Sequence, residues 1–297
     1  MRRYEFESFD GKKISVLEWA DVISPKGVVQ ISHGMAEHAG RYDLFAKYLN
    51  GQGYIVFADD HRAHGRTDGD TPGYCAGDIY NDTLKDMELL AESYEKKYGL
   101  PMYVFGHSYG SFLVQRYIEI CGDKFRAAVI GGSNCMNDFI TRFGRVFAGT
   151  ACAFGMGDKP AKFLKKASFD AYDKKFGGES FISSLPCEVE RYFADEHCAF
   201  ICSYNFYKRF FAGVLKAYRK ENLAKIPKIL PILLIAGKSD PVGDMGAGVL
   251  RLERLYKDLG LSVKTVLYDG VRHEFLNDTS REQAYKEISG FLAESKR

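Results

Sequence analysis

Short apolar segments rich in strand-forming residues recur along the chain, and helical stretches separate them. The apolar segments are VVQIS (28–32), YIVFAD (54–59), MYVFG (102–106), AAVIGG (127–132), ILLIAG (232–237) and VKTVLY (263–268). The helical stretches are 41–50, 81–98, 109–121, 245–259 and 281–295. Strands that are apolar at nearly every position suit a parallel sheet that is covered on both faces. The alternation therefore predicts an α/β fold with a mostly parallel, doubly wound central sheet flanked by helices.

The alternation is interrupted in two places. Near the N-terminus, Asp10-Gly11 joins two strand-like segments and predicts a β-hairpin. Between 138 and 226, strand-like runs are few and most of the sequence is typical of helices. There, residues three and four apart predict one apolar helix face made of Phe200, Tyr204, Tyr207, Phe211, Val214 and Tyr218. We therefore predict a core made of 1–137 and 227–297, with a helical cap inserted at 138–226.

Charge and cysteine content exclude several classes of protein. The 41 Lys and Arg nearly balance the 39 Asp and Glu, which argues against a nucleic-acid partner. No apolar run follows the first residues and no window reaches 18 apolar residues, so we expect neither a secretory signal nor a transmembrane helix. Seven irregularly spaced cysteines are typical of reduced thiols, which favours a cytoplasmic location. His197, Cys198 and Cys202 lack a second ligand pair, so we expect no metal there.

A candidate nucleophile stands between one apolar segment and one helix. Gly106-His107-Ser108-Tyr109-Gly110 has the pattern G-x-S-x-G, follows MYVFG directly and opens the helix over 109–121. In this setting the serine sits on a sharp strand-to-helix turn that exposes its hydroxyl. A serine hydroxyl is a weak nucleophile, so it needs a base that an acid holds in place. The motif thus predicts a Ser-acid-His triad, in that order along the chain.

The base and the acid must follow later strands. His273 is the only histidine after residue 197, and it comes shortly after VKTVLY. Asp240 follows ILLIAG by a few residues and is the preferred acid. Asp244 and Asp269 are the competing candidates, but Asp269 is too close to the histidine along the chain and Asp244 is too far past its strand. We predict a triad of Ser108, Asp240 and His273.

A second motif, His33-Gly34-Met35, follows VVQIS, where the second oxyanion donor of such a turn arises. The backbone N–H groups of Met35 and Tyr109 are therefore the predicted oxyanion donors. We expect the His33 side chain to bind loop carbonyls. We also expect the polar loop at 60–66 to be fastened by hydrogen bonds.

Glu37 and Arg41 are four residues apart, and two interpretations of them are open. They can form an ordinary ion pair on a helix surface, which contributes only a few tenths of a kcal/mol. Alternatively, they can serve the polar end of the substrate pocket.

Together these motifs, with Ser239-Asp240-Pro241 and Arg272-His273-Glu274, resemble the α/β-hydrolase superfamily. Within it, the chain is similar to the branch of monoacylglycerol lipases and lysophospholipases that is classed with the S33 serine aminopeptidases. The similarity covers nearly the whole chain and includes a cap after the sixth core strand. The segment 272–277 is more similar to bacterial members, which favours a bacterial source.

The resemblance implies the same triad and the same two oxyanion donors. It also implies that Glu37 and Arg41 hold the glycerol head group, because they match the Glu and Arg of the branch's H-G-x-x-E-H-x-x-R pattern. The chain differs from mammalian members at Leu276, where those carry a second histidine. It also differs at Gly243, where those carry a cysteine.

The predicted cap has a distinct composition. Segment 138–226 carries 15 Lys or Arg against 10 Asp or Glu, and 18 of the 42 aromatic residues. A basic, aromatic, helical lid suits an acyl-chain pocket and transient contact with a membrane surface. Within it, Lys162-Phe163-Leu164-Lys165-Lys166 can touch anionic head groups or simply form a solvated lysine face.

We predict a serine carboxylester hydrolase that cleaves monoacylglycerols or similar single-chain acyl esters through an acyl-enzyme, with no metal or organic cofactor. A lysophospholipase and a small aryl or feruloyl-type esterase are the alternatives. A peptidase is disfavoured, and so is a non-catalytic ligand receptor on the same fold, because the triad is intact. Ser108 excludes the epoxide hydrolases and dehalogenases, which need an aspartate at that position.

Overall fold

One sheet of eight strands organises the computed structural model, which describes residues 1–295. The strands are β1 (Arg2–Glu7), β2 (Lys13–Trp19), β3 (Gly27–Ser32), β4 (Tyr54–Asp59), β5 (Met102–His107), β6 (Phe125–Gly131), β7 (Ile232–Gly237) and β8 (Val263–Tyr268). Their spatial order is β1-β2-β4-β3-β5-β6-β7-β8. β3 to β8 are parallel, whereas β2 pairs antiparallel with β1 and β4. The predicted mostly parallel sheet is confirmed, and the six apolar segments form its parallel strands.

Helices follow most of the strands. They are α1 (Asp43–Gly51), α2 (Ile79–Tyr98), α3 (Tyr109–Cys121), α4 (Phe139–Ala153), α5 (Lys162–Ala167), α6 (Phe169–Lys174), α7 (Pro186–Ala194), α8 (Tyr204–Ala217), α9 (Lys220–Leu223), α10 (Ala247–Asp258) and α11 (Arg281–Glu294). None of these helices is both long enough and apolar enough to cross a lipid bilayer, a finding that covers residues 1–295.

The sheet has a hydrophobic core on each face. Because side chains of a strand alternate between its two sides, Ile55 and Phe57 of β4 join one core, while Tyr54 and Val56 join the other. The first core also contains the buried faces of α2, α3 and α10, and the second contains those of α1 and α11. Burial on both faces explains why the parallel strands are apolar almost throughout.

The N-terminal hairpin forms where it was predicted. A short turn joins β1 to β2, with Gly11 at φ +80° and the N–H of Ser8 donating to the carbonyl of Lys12 at 2.9 Å. Glycine suits this position because side chains are disfavoured at positive φ.

Helices α4 to α9 lie between β6 and β7. The apolar face predicted around α8 differs from the observed one, since the buried residues are Phe206, Tyr207, Phe210, Gly213, Val214 and Ala217. The helix begins only at Tyr204, because the Ser203 side chain accepts the N–H of Phe206 and caps it. Phe200 therefore precedes the helix, and its ring packs on His64 instead. The observed stripe packs on α2 and α3. Tyr207, Val214 and Tyr218 of the predicted face are buried, whereas Tyr204 and Phe211 are only partly buried, so the predicted face overlaps the observed one but is shifted from it.

Candidate active site

Ser108 lies at the sharp turn between β5 and α3. Its backbone has φ +52° and ψ −120°, a conformation that non-glycine residues rarely adopt. The two flanking glycines are needed because the chain passes very close to its neighbours. A Cβ at Gly106 would lie 2.4 Å from the carbonyl oxygen of Gly110, and one at Gly110 would lie 2.0 Å from that of Ser32. The G-x-S-x-G spacing is therefore a packing requirement of this turn.

His273 and Asp240 meet beyond the carboxyl ends of β8 and β7. Nδ1 of His273 lies 3.0 Å from Oδ1 of Asp240, which also accepts the N–H of Val242 at 2.8 Å. Asp240 is fully buried and the His273 side chain is 7% exposed. Despite this short distance, the Nδ1 atom of His273 does not make a well-directed hydrogen bond to Asp240. Contacts of this kind often tighten only when a substrate binds.

The competing acids are held elsewhere. Asp244 pairs with Arg251 at 2.9 Å, and about half of each side chain is exposed. Asp269 is 87% exposed and pairs with Lys238 at 2.7 Å. Of the three aspartates considered, Asp240 is the one that the structure brings to His273.

A small cavity joins Ser108 and His273. Its lining residues are Gly34, Met35, Glu37, His107, Ser108, Phe169, Phe181, Ile182, Tyr192, His273 and Glu274. Its volume is about 20 Å³, room for roughly one water molecule. Four of the lining residues come from the segment between β6 and β7, so that segment borders the space beside Ser108.

The two predicted oxyanion donors flank this serine. Met35 lines the cavity. Tyr109 is the first residue of α3, so no carbonyl within the helix can accept its N–H. The helix N-terminus also places partial positive charge beside Ser108. The Tyr109 ring packs in the core, with its centre 5.0 Å from that of the Phe206 ring. The part of Tyr109 that we assign to the site is therefore its backbone N–H.

Glu37 and Arg41 are buried, with 5% and 9% of their side chains exposed. The interpretation as an ordinary surface ion pair is therefore wrong. Oε2 of Glu37 accepts from Arg41 at 2.9 Å, while Oε1 accepts from the Tyr42 hydroxyl at 2.7 Å and from the N–H of Gly34. Arg41 also forms a two-pronged contact with Glu274, in which Nη2 donates to Oε2 at 2.8 Å and Nη1 donates to Oε1.

His107 is a further partner of Glu37. Its Nδ1 lies 3.7 Å from Oε1 of Glu37, and its Nε2 lies 3.1 Å from the carbonyl oxygen of His273. Burial opposes charge on both residues, but the His107 contact and the Arg41 charge still hold the pKa of Glu37 well below its usual range. In the same way, burial lowers the pKa of His107 but Glu37 more than compensates, so this pKa is raised overall. Burial and mutual contact therefore act in opposite directions on the pKa values of these two residues.

Hydrogen bonds fasten the loop at 60–66, as expected. Asp60 accepts the N–H groups of Ala39 and Arg66 at 3.0 Å each, and a side-chain bond from Arg3 at 2.9 Å. The His33 ring accepts the N–H of His61 at 2.9 Å and its Nδ1 lies 2.8 Å from the carbonyl of Gly34. These contacts fix the β3–α1 loop that carries Met35 and Glu37.

One group of metal-ligating side chains occurs within residues 1–295, formed by His38, Asp195 and Cys198. The ligand atoms of His38 and Asp195 already contact each other and neighbouring backbone groups. Nε2 of His38 lies 3.0 Å from Oδ2 of Asp195, and its Nδ1 accepts the N–H of Gly40 at 3.2 Å. Burial raises the pKa of the Cys198 thiol above its usual range, which keeps it protonated.

Sequence reasoning missed the residues that complete the polar end of the site. Glu274, Tyr42, His107 and Tyr192 all contact the Glu37–Arg41 pair or line the cavity. A local signal existed for Glu274, which directly follows the predicted base. Its partner Arg41 lies 233 residues earlier, so the spacing of residues could not reveal the contact.

Comparison with known proteins places the chain in a family. Residues 23–280 match the family model described as serine aminopeptidase, S33. The chain is 28% identical over 270 residues to human monoglyceride lipase, covering 89% of this chain and 80% of that one. It is 25% identical over 292 residues to the monoglyceride lipase homolog of Monkeypox virus, covering 96% of each.

A solved structure agrees with these relatives. A highly thermostable carboxyl esterase from Bacillus coagulans, in complex with glycerol, is similar at a TM-score of 0.90 and 26% identity, covering 99% of this chain and 98% of that one. The chain therefore belongs to the S33 serine aminopeptidase family of α/β-hydrolases, on the monoglyceride lipase branch, and is a carboxylic ester hydrolase.

Proposed function

We propose that the protein hydrolyses monoacylglycerol-type esters of a single acyl chain, with Ser108, His273 and Asp240 as its triad. The observation that carries the proposal is that Ser108, on its strained turn, and His273, paired with Asp240, face the same small cavity. A histidine that an aspartate orients can take the proton of a serine hydroxyl and so activate it.

The reaction follows from these positions. The Ser108 hydroxyl oxygen bonds to the acyl carbon while its proton passes to Nε2 of His273. When the tetrahedral intermediate collapses, the bond to the alcohol breaks and His273 returns that proton to the leaving oxygen. A water molecule then loses a proton to His273 and attacks the acyl carbon. The fatty acid leaves and Ser108 regains its proton. Asp240 orients the imidazole and stabilises its charge throughout.

The oxyanion of both intermediates is assigned to the backbone N–H groups of Met35 and Tyr109. Fixed donors of this kind typically contribute about 3–4 kcal/mol each to transition-state stabilisation. No metal or organic cofactor enters these steps, because the residues supply the nucleophile, the base and the oxyanion donors.

The alcohol portion of the ester is assigned to the side of the cavity that Glu37 lines. Glu37 and Arg41 remain the proposed substrate-binding pair, with Arg41 acting behind the carboxylate. The proposal is supported by the relatives, which are monoglyceride lipases, and by the esterase found with glycerol.

Segment 138–226 is proposed as the cap that closes the site and meets lipid. Along α4, the side chains of Phe139, Ile140, Phe143 and Val146 are more than half exposed. Arg142 and Arg145 lie between them, so this helix offers apolar and basic groups together, as interfacial helices do. The cytoplasmic location and bacterial source stay predictions from the sequence.

Two measurements test the proposed function. A fluorophosphonate probe should label Ser108 in the folded protein, and Ser108→Ala should abolish the labelling. A hydrolysis panel should then rank monoacylglycerols above lysophospholipids, aryl esters and aminoacyl amides of matched size. Absence of labelling would contradict the triad. A tenfold preference for lysophospholipids would replace the substrate class.

A further inference from the structure

We infer that Asp278 is a positioning residue for His273, because this buried carboxylate fastens the loop after β8 to segment 179–184 of the proposed cap. The inference rests on the proposed function, in which His273 is the base of the triad. Asp278 is not among the residues that line the cavity at Ser108, so it acts through the loop and not on the substrate.

The backbone of His273 is paired with this segment. Its N–H donates to the carbonyl oxygen of Phe181 at 3.1 Å, and the N–H of Glu274 donates to that of Ile182 at 2.7 Å. The centre of the Phe181 ring lies 5.6 Å from that of the imidazole. Segment 179–184 lies outside the helices and strands, so contacts with other parts of the chain fix its conformation. The position of the imidazole therefore depends on how firmly the loop and the segment are joined.

Asp278 joins the two parts directly. Its side chain is buried, and its residue is 1% exposed. Oδ2 accepts the N–H of Ser184 at 3.0 Å and that of Arg272 at 3.1 Å. Oδ1 accepts the hydroxyl of Ser184, and it accepts the N–H of Thr279 at 2.7 Å. Since Arg272 directly precedes His273, one carboxylate binds the segment and the loop of the base at the same time.

The Arg272 side chain adds a second connection between the same two parts. Its Nη1 donates to the carbonyl oxygens of Ser180 at 2.7 Å and Ser183 at 3.3 Å. Its Nη2 donates to Oε2 of Glu179 at 2.6 Å, but 71% of that glutamate side chain is exposed. Exposed ion pairs contribute little to stability. The buried carboxylate of Asp278 is therefore the connection to test.

The donors around Asp278 explain why a carboxylate is needed there. An ionised carboxylate only accepts hydrogen bonds, whereas the amide of asparagine has an NH₂ group on one side. Asp278→Asn would therefore turn an N–H group toward another N–H group. Since Nδ1 of His273 lies 3.0 Å from Asp240 without a well-directed bond, a small shift of the loop changes this contact. A misplacement of about 1 Å can cost about a hundredfold in rate.

The test compares two asparagine variants in the same loop. Asp278→Asn should lower kcat on p-nitrophenyl butyrate by about 10- to 100-fold, while KM stays within about threefold because Asp278 does not line the cavity. The matched control is Asp269→Asn, since Asp269 is 87% exposed and pairs with Lys238. The control should keep both kcat and KM. Circular dichroism at the assay temperature checks that each variant is folded.

Backbone hydrogen exchange supplies a readout that needs no turnover. In Asp278→Asn, the N–H groups of His273 and Glu274 should exchange about tenfold faster or more, because their partners in segment 179–184 are no longer held in place. In Asp269→Asn they should exchange as in the wild type. Mass spectrometry of the peptides that cover this loop measures both.

Three results would overturn the inference. They are a kcat within about threefold of the wild type, a rise in KM that accounts for the loss of activity, and unchanged exchange at His273 and Glu274. A wild-type protein that neither reacts with a fluorophosphonate at Ser108 nor cleaves the ester would instead contradict the proposed function. The exchange experiment would then still decide whether Asp278 fastens the loop.

Ser184→Ala keeps the test valid if Asp278→Asn does not fold. It removes one hydrogen bond to the carboxylate, so kcat should fall by about threefold or more and exchange at His273 should become faster. The matched control is Ser180→Ala, because the Ser180 hydroxyl accepts the N–H of Ile182 within the segment itself. Equal kcat and equal exchange in the two serine variants would contradict the inference.

Discussion

Ser108 has a backbone conformation that costs free energy, and hydrogen bonds to neighbouring residues keep it in that conformation. A non-glycine residue in such a region costs on the order of 1–3 kcal/mol. Its N–H donates to the carbonyl of Gly131 at 3.0 Å, and its carbonyl accepts from the hydroxyl of Ser111 at 2.6 Å. These bonds hold the strained residue in place, so its hydroxyl is presented to the cavity before any substrate arrives.

Asp240 gives the first prediction for a single residue. Asp240→Asn should lower kcat on a p-nitrophenyl ester by about 10⁴-fold, because the amide favours the wrong tautomer of His273. The matched control is Asp244→Asn, which removes an acid four residues later that pairs with Arg251. The control should keep its activity within a few fold. A large loss in both variants would mean that the acid of the triad was assigned to the wrong aspartate.

His107 gives a prediction about pH. Burial disfavours its charged form, but Glu37 raises its pKa overall in the folded protein. A raised pKa contributes stability that is fully present below the unfolded value of about 6.5 and is lost as the pH rises through the folded value. The free energy of unfolding of His107→Gln should therefore fall further below the wild type at pH 6 than at pH 9.

Urea unfolding at both pH values measures the difference for His107. The part of the loss in unfolding free energy that is the same at both pH values reports packing. The part that changes with pH reports the charge interaction with Glu37. An equal gap at pH 6 and pH 9 would show that the imidazole is not charged in the folded state.

At the scale of elements, the central strands were predicted to within about two residues of their observed ends. β4 and β7 match their apolar segments fully, because a strand buried on both faces needs apolar residues at nearly every position. The triad candidates were placed by the same logic, since they follow the carboxyl ends of β5, β7 and β8. The Arg41–Glu274 contact joins two loops that are far apart in sequence, and no local pattern records such a pairing.

The helices between β6 and β7 were harder to predict because their burial depends on packing against other elements. Gly213 of α8 illustrates this, since a Cβ there would lie 2.1 Å from Cδ1 of Tyr80 on α2. The glycine allows α8 to approach α2 closely, and that approach selects which side of α8 is buried. The spacing of residues alone predicted one apolar face, which is shifted from the face that this approach buries.

Two glycines in helices should respond oppositely to alanine. At Gly110 of α3 the new Cβ would meet backbone atoms of Ser32 and His33, so Gly110→Ala should lower the free energy of unfolding by about 3 kcal/mol or more. At Gly290 of α11 no atom lies within 4 Å of that position, and the residue is exposed. Gly290→Ala should raise stability by about 0.5–1 kcal/mol. Chemical denaturation measures both, and a stable Gly110→Ala would contradict the close approach at the turn.

At the scale of the whole molecule, the space beside the reacting groups is small. The cavity at Ser108 has a volume of about 20 Å³, which is room for roughly one water molecule. A fatty acyl chain therefore requires Phe169, Phe181, Ile182 and Tyr192 to move away from Ser108. All four belong to the segment between β6 and β7, which links substrate entry to the proposed cap.

The exposed face of α4 is the part of the proposed cap that we expect to contact lipid. Phe139 and Phe143 are 79% and 56% exposed, and the opposite face of the helix packs on α8 through Gly144. Replacing both phenylalanines by serine should weaken binding to vesicles of phosphatidylglycerol and phosphatidylcholine by about tenfold or more, because buried aromatic area is lost. Turnover of a micellar monoacylglycerol should fall with it, while turnover of water-soluble p-nitrophenyl acetate should stay unchanged.

The control for this surface is Ile229→Ser, which removes an exposed apolar side chain shortly before the amino end of β7, on the opposite edge of the sheet from Ser108. It should change neither vesicle binding nor turnover, because that edge faces away from the cavity and its cap. Vesicle co-sedimentation and a fluorescence titration separate the two sites. If the double variant of α4 binds vesicles as well as the Ile229 variant does, the lipid surface lies elsewhere. If it loses activity on the water-soluble ester as well, the aromatic face supports the fold of the cap rather than its contact with lipid.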